Sequence, residues 1–153
     1  MTIDFDKGLK AVRLGDFKAA VKWYTLAAGQ GHAESQHALG SLYERGISIP
    51  GDHEESVKWF TLAAEQGHAG AQCSLGKAYW IGKGTPRDCV RAYMWHSLAA
   101  YNGSKIVSGN KQQMLAKVAS ERKEWIANEM TDAQIAKAQE MANRCLETDY
   151  TDC

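Results

Sequence analysis

Apolar side chains recur along this chain every three to four residues, and the whole pattern repeats after 36 residues. Trp23, Trp59 and Trp95 coincide when the chain is shifted by that period. A fixed period in this range is typical of stacked helical repeats. The pattern therefore predicts three units, at about 3–31, 32–67 and 68–103. Leucine, alanine and glycine positions coincide in the same way, namely Leu26, Leu62 and Leu98, then Ala28, Ala64 and Ala100, then Gly31, Gly67 and Gly103.

Each unit is predicted to be a pair of helices, because the apolar positions within it follow helical spacing. Gly46 and Gly82 follow the first helix of the second and third units, where a left-handed C-cap is expected. Asp52 then stands where a helix N-cap is favoured. The predicted pairs are 32–45 with 53–66 in the second unit, and 68–81 with 89–100 in the third.

The period fades beyond the third unit, where 104–146 are predicted to form a helical cap over the open end of the stack. Gly109 is expected to break or start a helix, and a longer helix is predicted at about 111–129. Thr131 followed by Gln134 fits a capping box that opens a last helix, ending near Cys145. The single domain is thus expected at 1–146, with 147–153 as a flexible tail.

The repeated segments resemble Sel1-like repeats, which are related to the tetratricopeptide repeat. The resemblance rests on the segments 20–36, 39–46, 75–88 and 130–142, in which several positions recur together. Membership implies an all-α fold, a right-handed α-α superhelix of about three helix pairs plus C-terminal capping helices. It also implies an adaptor or scaffold for protein complexes, and this function comes from the resemblance alone.

A secreted subset of the resembling family joins two positions of each unit by a disulfide bond. The equivalent positions here are Ala28 with Gln36 and Ala64 with Gln72, and none of them is a cysteine. The chain therefore resembles the reduced branch. Its four cysteines form no Cys-x-x-Cys pair, so free thiols are expected and a zinc knuckle is not.

Composition limits the classes of partner and the cellular compartment that we expect for this chain. Eighteen basic and eighteen acidic side chains give a formal net charge of +0, which argues against nucleic acid or an anionic membrane as the main partner. No apolar stretch approaches the roughly 20 residues needed to span a bilayer. The polar, acidic start lacks the order of a secretory signal. A cytoplasmic protein is expected, unless an export signal has been removed.

The candidate binding surface follows from the resemblance, which implies that the first helix of each unit lines a concave face. Residues that differ between copies on that face are expected to bind another protein. Trp80 is the candidate anchor, since tryptophan is enriched at binding hot spots; alternatively it only packs over the Thr85–Pro86 loop. The predicted partner-binding residues are His37, Ser41, Glu44, Arg45, Cys73, Lys77, Trp80, Ile81, Gln113 and Lys117.

No catalytic, cofactor or metal site is predicted. His32 and His68 are repeat equivalents that are expected to start helices, and no His-x-x-x-His pair or carboxylate cluster accompanies the five histidines. Ser74 and Lys77 match a Ser-x-x-Lys pattern, and so do two other pairs, Ser108 with Lys111 and Ser120 with Lys123. The companion Ser-Asp-Asn and Lys-Thr-Gly motifs of β-lactamases are missing from the sequence.

Three functions remain open at this point. The leading one is capture of a peptide or helix of a partner protein on the concave face. The second is a homo-oligomeric assembly subunit or a weakly self-associating protein, which a concentration-dependent mass would favour. The remote third is a hydrolase of β-lactam or cell-wall substrates, which turnover abolished by Ser74→Ala would favour.

Overall fold

The computed structural model describes residues 2–105 and 110–153, and all the regular structure within those ranges is helical. The predicted all-α solenoid is confirmed. None of the described helices is long and apolar enough to cross a membrane. Gly109, where a break was predicted, and Ser108 of the Ser108–Lys111 pattern lie outside the described residues. The helices are α1 (Thr2–Arg13), α2 (Phe17–Gly29), α3 (Ala33–Arg45), α4 (His53–Ala64), α5 (Ala69–Ile81), α6 (Cys89–Lys105), α7 (Asn110–Ala127) and α8 (Asp132–Glu147).

The helix ends follow the capping chemistry read from the sequence. Asp52 Oδ1 accepts a hydrogen bond from the Glu55 backbone N–H at 3.0 Å. Gly46 and Gly82 adopt φ values of 66° and 76° at the ends of α3 and α5, in the left-handed region that glycine favours. The Thr131 capping box also forms at the start of α8.

Two buried glutamines connect the first helices of the second and third units, α3 and α5, to the helices that precede them. Gln36 Nε2 donates to the Ala28 carbonyl at 3.2 Å, and Gln72 Nε2 donates to the Ala64 carbonyl at 3.1 Å. These are the position pairs that the resembling secreted proteins join by disulfides. A side-chain amide therefore makes the connection here that a covalent bond makes there. Gln72 has a further partner, since Asn102 Nδ2 donates a hydrogen bond to Gln72 Oε1 at 3.0 Å.

The third outer helix is longer than predicted, since α6 continues to Lys105 instead of ending near residue 100. At the first two junctions Gly31 and Gly67 take φ values of 88° and 82°, which turns the chain. Gly103, at the equivalent position, stays helical and packs closely against α7, where an added Cβ would lie 3.0 Å from Ala116 Cβ. Close packing against α7 explains a glycine at this position.

The cap residues cover the last unit on two sides, with α7 and α8 both packed on α6. Trp95 is consequently buried, whereas its repeat equivalents Trp23 and Trp59 are only half-buried. The main core lies between α4, α5, α6 and α8, and its buried members include Phe60, Leu75, Met94, Leu98 and Cys145.

The pairing of the cysteines at the C-terminal end differs from the free thiols expected from the sequence. Cys145 and Cys153 form a disulfide, so the free-thiol prediction is wrong for this pair and right for Cys73 and Cys89. Tyr150, with φ of 65°, turns the chain back after α8, and its hydroxyl accepts a hydrogen bond from Asn102 Nδ2 at 2.6 Å. This return of the chain could not be predicted, because it lies outside the repeat.

Candidate functional site

A groove runs along the inner side of the stack between α3, α5 and α7, with a volume of about 520 Å³. We call it the inner groove. The helices α3 and α5 form two walls, as the resemblance implied, and the cap helix α7 forms the third. Its lining residues are Glu34, His37, Ser41, Glu44, Arg45, His68, Gly70, Cys73, Ser74, Lys77, Lys111, Gln112, Met114, Leu115, Val118 and Arg122.

Six of the ten residues expected on the concave face line the inner groove, namely His37, Ser41, Glu44, Arg45, Cys73 and Lys77. Lys77 Nζ pairs with Glu44 Oε1 at 2.9 Å, which connects α3 to α5 across the unit boundary. The Ser41 hydroxyl donates to the His37 carbonyl of its own helix at 3.0 Å.

Gln113 and Lys117 do not belong to this set. Both are exposed on α7, whose groove-facing side carries Gln112, Leu115 and Val118 instead. One residue along a helix is a rotation of about 100°. The rotation of α7 about its axis could not be predicted, because this helix lies outside the repeat.

Cys73 lines the groove but is not a reactive thiol. Only 5% of its surface is exposed, and burial raises the pKa of the thiol. Arg122 opposes that shift by donating from Nη1 to Sγ at 3.4 Å, but burial is the larger effect. The thiolate needed for nucleophilic or metal chemistry is therefore disfavoured.

Three ionisable side chains converge at one end of the inner groove. Glu34 Oε2 lies 2.6 Å from His68 Nε2, and the rings of His37 and His68 lie 4.8 Å apart between centroids. The hydrogen bond from His68 holds the pKa of Glu34 below its ordinary value. Burial lowers the pKa of His37 to about 4, so this ring is neutral at pH 7.

Sequence reasoning missed this cluster because it considered only His-x-x-x-His spacing. Glu34 and His37 are three residues apart and so share a helix face. His68 comes from the next unit, as the N-cap of α5, with Nδ1 accepting from the Ala71 N–H at 3.0 Å. The 36-residue period was the available signal for this cluster. His68 is the repeat equivalent of His32, which lies only two residues before Glu34.

Ser74 lies beside His37, with Oγ 3.3 Å from Nε2. A serine–histidine pair is a component of acyl-transfer sites, but two features argue against that chemistry here. Ser74 lies in the middle of α5, where the neighbouring backbone N–H groups are engaged in the helix and not aimed at an oxyanion. A histidine with a pKa of about 4 is also a weak base at neutral pH.

An aromatic pocket of about 290 Å³ adjoins the inner groove and shares Lys77 and Arg122 with it. We call it the tryptophan pocket. Its other lining residues are Trp80, Ile81, His96, Trp125 and Ile126.

Trp80 does not fold over the loop alone. Its ring meets the edge of Trp125 at a centroid distance of 5.4 Å, and the Arg87 guanidinium lies 4.5 Å from its centre. Arg87 is fixed in turn by a 2.9 Å ion pair with Glu129. Trp125 is 62% exposed, so it offers more surface to a partner than the half-buried Trp80. Trp125 was not among the residues predicted for the concave face.

The inner groove is electropositive. Its lining carries four basic side chains, Arg45, Lys77, Lys111 and Arg122, against the two carboxylates of Glu34 and Glu44. The Glu44 carboxylate is paired with Lys77, and the Glu34 carboxylate is hydrogen-bonded to His68. The chain as a whole has no net charge, so the basic surplus is local to the groove.

Comparisons with known proteins agree with the architecture. The chain covers 30% of a protective antigen present in uropathogenic Escherichia coli strains that displays an SLR fold, with 95% of this chain aligned at 28% identity and a TM-score of 0.83. It covers 55% of a Sel1 repeat protein from Oxalobacter formigenes, again with 95% of this chain aligned, at 24% identity and a TM-score of 0.67.

The chain thus spans less than two thirds of the length of either solved structure. No curated protein sequence matches it significantly. The Sel1 repeat model matches residues 5–32, 33–68 and 69–104, which is most of the chain. The protein therefore belongs to the Sel1 repeat family, whose members generally serve as protein-interaction scaffolds.

Proposed function

We propose that the chain binds a short acidic segment of a partner protein in the inner groove and takes an apolar side chain of that segment into the tryptophan pocket. The observation that carries this proposal is the continuity of the two cavities. Lys77 and Arg122 line both of them. A single segment can thus contact the basic lining and the tryptophans together.

The charge of the groove favours an acidic segment. Arg45 and Lys111 are exposed cations on opposite walls, and carboxylates of a partner would neutralise them. Complementary charge of this kind mainly raises the association rate and selects among partners. Burial of an aromatic anchor supplies more of the affinity.

The third wall of the inner groove, helix α7, favours an extended partner segment over a helical one. The cap helix α7 occupies the inner side of the last unit and packs on both α5 and α6. It takes up the inner position that a partner helix would fill in an open solenoid. The remaining cleft is lined partly by Met114, Leu115 and Val118 of α7, which offer apolar contacts between the charges.

Panning of random displayed peptides on the purified chain tests the proposal, followed by fluorescence anisotropy with the best sequence. We expect acidic sequences with one bulky apolar residue. Trp125→Ala should weaken binding by about 30-fold, the effect of losing a hot spot of about 2 kcal/mol. Lys111→Glu should weaken it by about 5-fold or more through lost charge complementarity.

Lys117→Glu is the matched control, because it reverses an exposed charge on the same helix outside the groove. Its affinity should stay within two-fold of the unsubstituted chain. Enrichment of basic or neutral peptides, or equal losses with Lys111→Glu and Lys117→Glu, would overturn the proposal. A molecular mass that rises with concentration, and is unchanged by Trp125→Ala, would favour the assembly alternative instead.

A further inference from the structure

The geometry points to a binding site for a divalent transition-metal ion, best suited to Zn²⁺, formed by Glu34, His37 and His68 in the inner groove. One ligand atom from each residue lies within 4.8 Å of the other two. Two imidazoles with one carboxylate is a ligand set that catalytic zinc sites use. This inference does not depend on the proposed peptide binding.

The backbone positions of the three residues suit a common ion. Glu34 and His37 are three residues apart near the start of α3 and so lie on one face. His68 precedes α5 and approaches them from the next unit. An ion held by all three would therefore connect two adjacent repeats through their first helices.

The distances require only small side-chain movements. In a tetrahedral zinc site with ligand distances of 2.0–2.2 Å, neighbouring ligand atoms lie about 3.3 Å apart. Glu34 Oε2 and His68 Nε2 are now 2.6 Å apart and would separate slightly to admit the ion. The widest separation, at most 4.8 Å, would close by about 1.5 Å through side-chain torsions.

The groove leaves room for a fourth ligand. All three residues line the same open cleft, so water or a partner's side chain can reach the ion. Gln112 of α7 faces Glu34 and His68 across this part of the groove. Its Oε1 atom is buried, and no donor within residues 2–105 and 110–153 bonds to it. The pocket that Glu34 and His68 line therefore also contains an amide oxygen without a hydrogen-bond donor.

Metal binding must exchange a proton at His68. Nδ1 accepts from the Ala71 N–H, so the neutral ring carries its proton on Nε2 and donates it to Glu34. An ion on Nε2 takes the place of that proton, and the neutral ring then carries a proton on Nδ1, so the cap bond from the Ala71 N–H is lost. One cap hydrogen bond is a weak interaction beside three metal–ligand bonds.

Lys111 opposes the site, because its positive charge acts on both Glu34 and His37. This opposition yields a specific test. Removing the charge with Lys111→Ala should tighten metal binding, although no ligand changes. A merely structural role of the cluster would not respond in this way.

Zinc binding would be measured by isothermal titration calorimetry without any peptide, and Co²⁺ absorption would report the ligand type. The chain should bind one Zn²⁺ per molecule at micromolar concentration. His37→Ala, Glu34→Gln and His68→Asn should each weaken zinc binding by about 10-fold or more. Loss of a residue that only hydrogen-bonds to a metal ligand already lowers metal affinity by about 10- to 100-fold. His68→Asn supplies a new N-cap oxygen and so preserves the start of α5.

His32→Asn is the matched control, because His32 has the same capping role in the preceding unit but lies outside the cluster. It should bind zinc as the unsubstituted chain does, and so should Cys89→Ser. Binding that persists in all three ligand variants, thiolate bands in the Co²⁺ spectrum, or no saturable binding at micromolar zinc would overturn the proposal. Circular dichroism of each variant keeps loss of fold distinct from loss of a ligand.

Discussion

We expect the two buried glutamines, Gln36 and Gln72, to contribute unequally to the free energy of unfolding, although they occupy equivalent positions in two repeats. Gln72→Met and Gln36→Met each keep the side-chain length and remove both hydrogen-bonding groups. Gln72 loses its bond to the Ala64 carbonyl and leaves Asn102 in a half-buried position. Gln36 loses its bond to Ala28 and releases Gln66, which is exposed.

The magnitude follows from what each partner can do afterwards. A buried hydrogen bond contributes about 1 kcal/mol net, and a buried group left without a partner costs about 1–3 kcal/mol. Both carbonyls keep a backbone donor, from Gly67 and from Gly31. Gln66 can bond to water, whereas the partner that Asn102 Nδ2 keeps among residues 2–105 and 110–153 is the Tyr150 hydroxyl. We therefore expect about 2 kcal/mol of destabilisation for Gln72→Met and about 1 kcal/mol for Gln36→Met.

Urea unfolding followed by circular dichroism measures both free energies of unfolding, provided that the denaturant slope stays unchanged. A difference of about 1 kcal/mol between the two variants would correspond to roughly 2–4 °C in melting temperature for a chain of this size. Equal destabilisation by Gln72→Met and Gln36→Met would refute the argument from the released partners. A destabilisation below about 0.5 kcal/mol for Gln72→Met would refute the claim that the hydrogen bonds of Gln72 stabilise the fold.

Four further outcomes are expected. Gly76→Ala should destabilise by about 1–2 kcal/mol in urea unfolding, because its Cβ would lie 2.9 Å from Nε2 of the buried His96 ring. Burial lowers the pKa of His96 to about 4 from its ordinary value of 6.5, so its contribution to stability should be full above about pH 6.5 and fall by up to about 3 kcal/mol towards pH 4. His96→Leu should reduce this slope without abolishing it, because burial lowers the pKa of His37 to about 4 as well. Ser48→Gly should stabilise by about 1 kcal/mol in the same assay, since Ser48 has φ of 61°. A thiol reagent should modify the half-buried Cys89 in the native chain and reach Cys73 only after unfolding.

The repeat made most of the fold predictable, because helix pairs, caps and junction turns are each specified locally and then copied. Its period placed α3 and α5 within about one residue and identified their inner faces. The phase of α7 was not predictable, since that helix has no repeat equivalent. Gln113 and Lys117 were assigned to the groove where Gln112 and Leu115 in fact lie.

Contacts between units were also beyond local reasoning. The meeting of Glu34 with His68 depends on how two repeats stack, and the return of Tyr150 to Asn102 depends on where α8 packs. Both involve residues more than 30 positions apart. Neither hydrophobic periodicity nor capping chemistry reports on such pairs.

Positions that differ between repeats give the inner groove a direction. His37 of the second unit is replaced by Cys73 in the third, and Glu44 is replaced by Trp80. One end of the groove consequently presents the Glu34–His37–His68 cluster, and the other leads to the tryptophan pocket. A partner segment that contacts both ends of the groove has only one favourable orientation, with its apolar side chain towards Trp125. Reversing the sequence of a bound peptide at constant composition should therefore weaken its binding, and equal affinity for the two orders would mean that only charge is recognised.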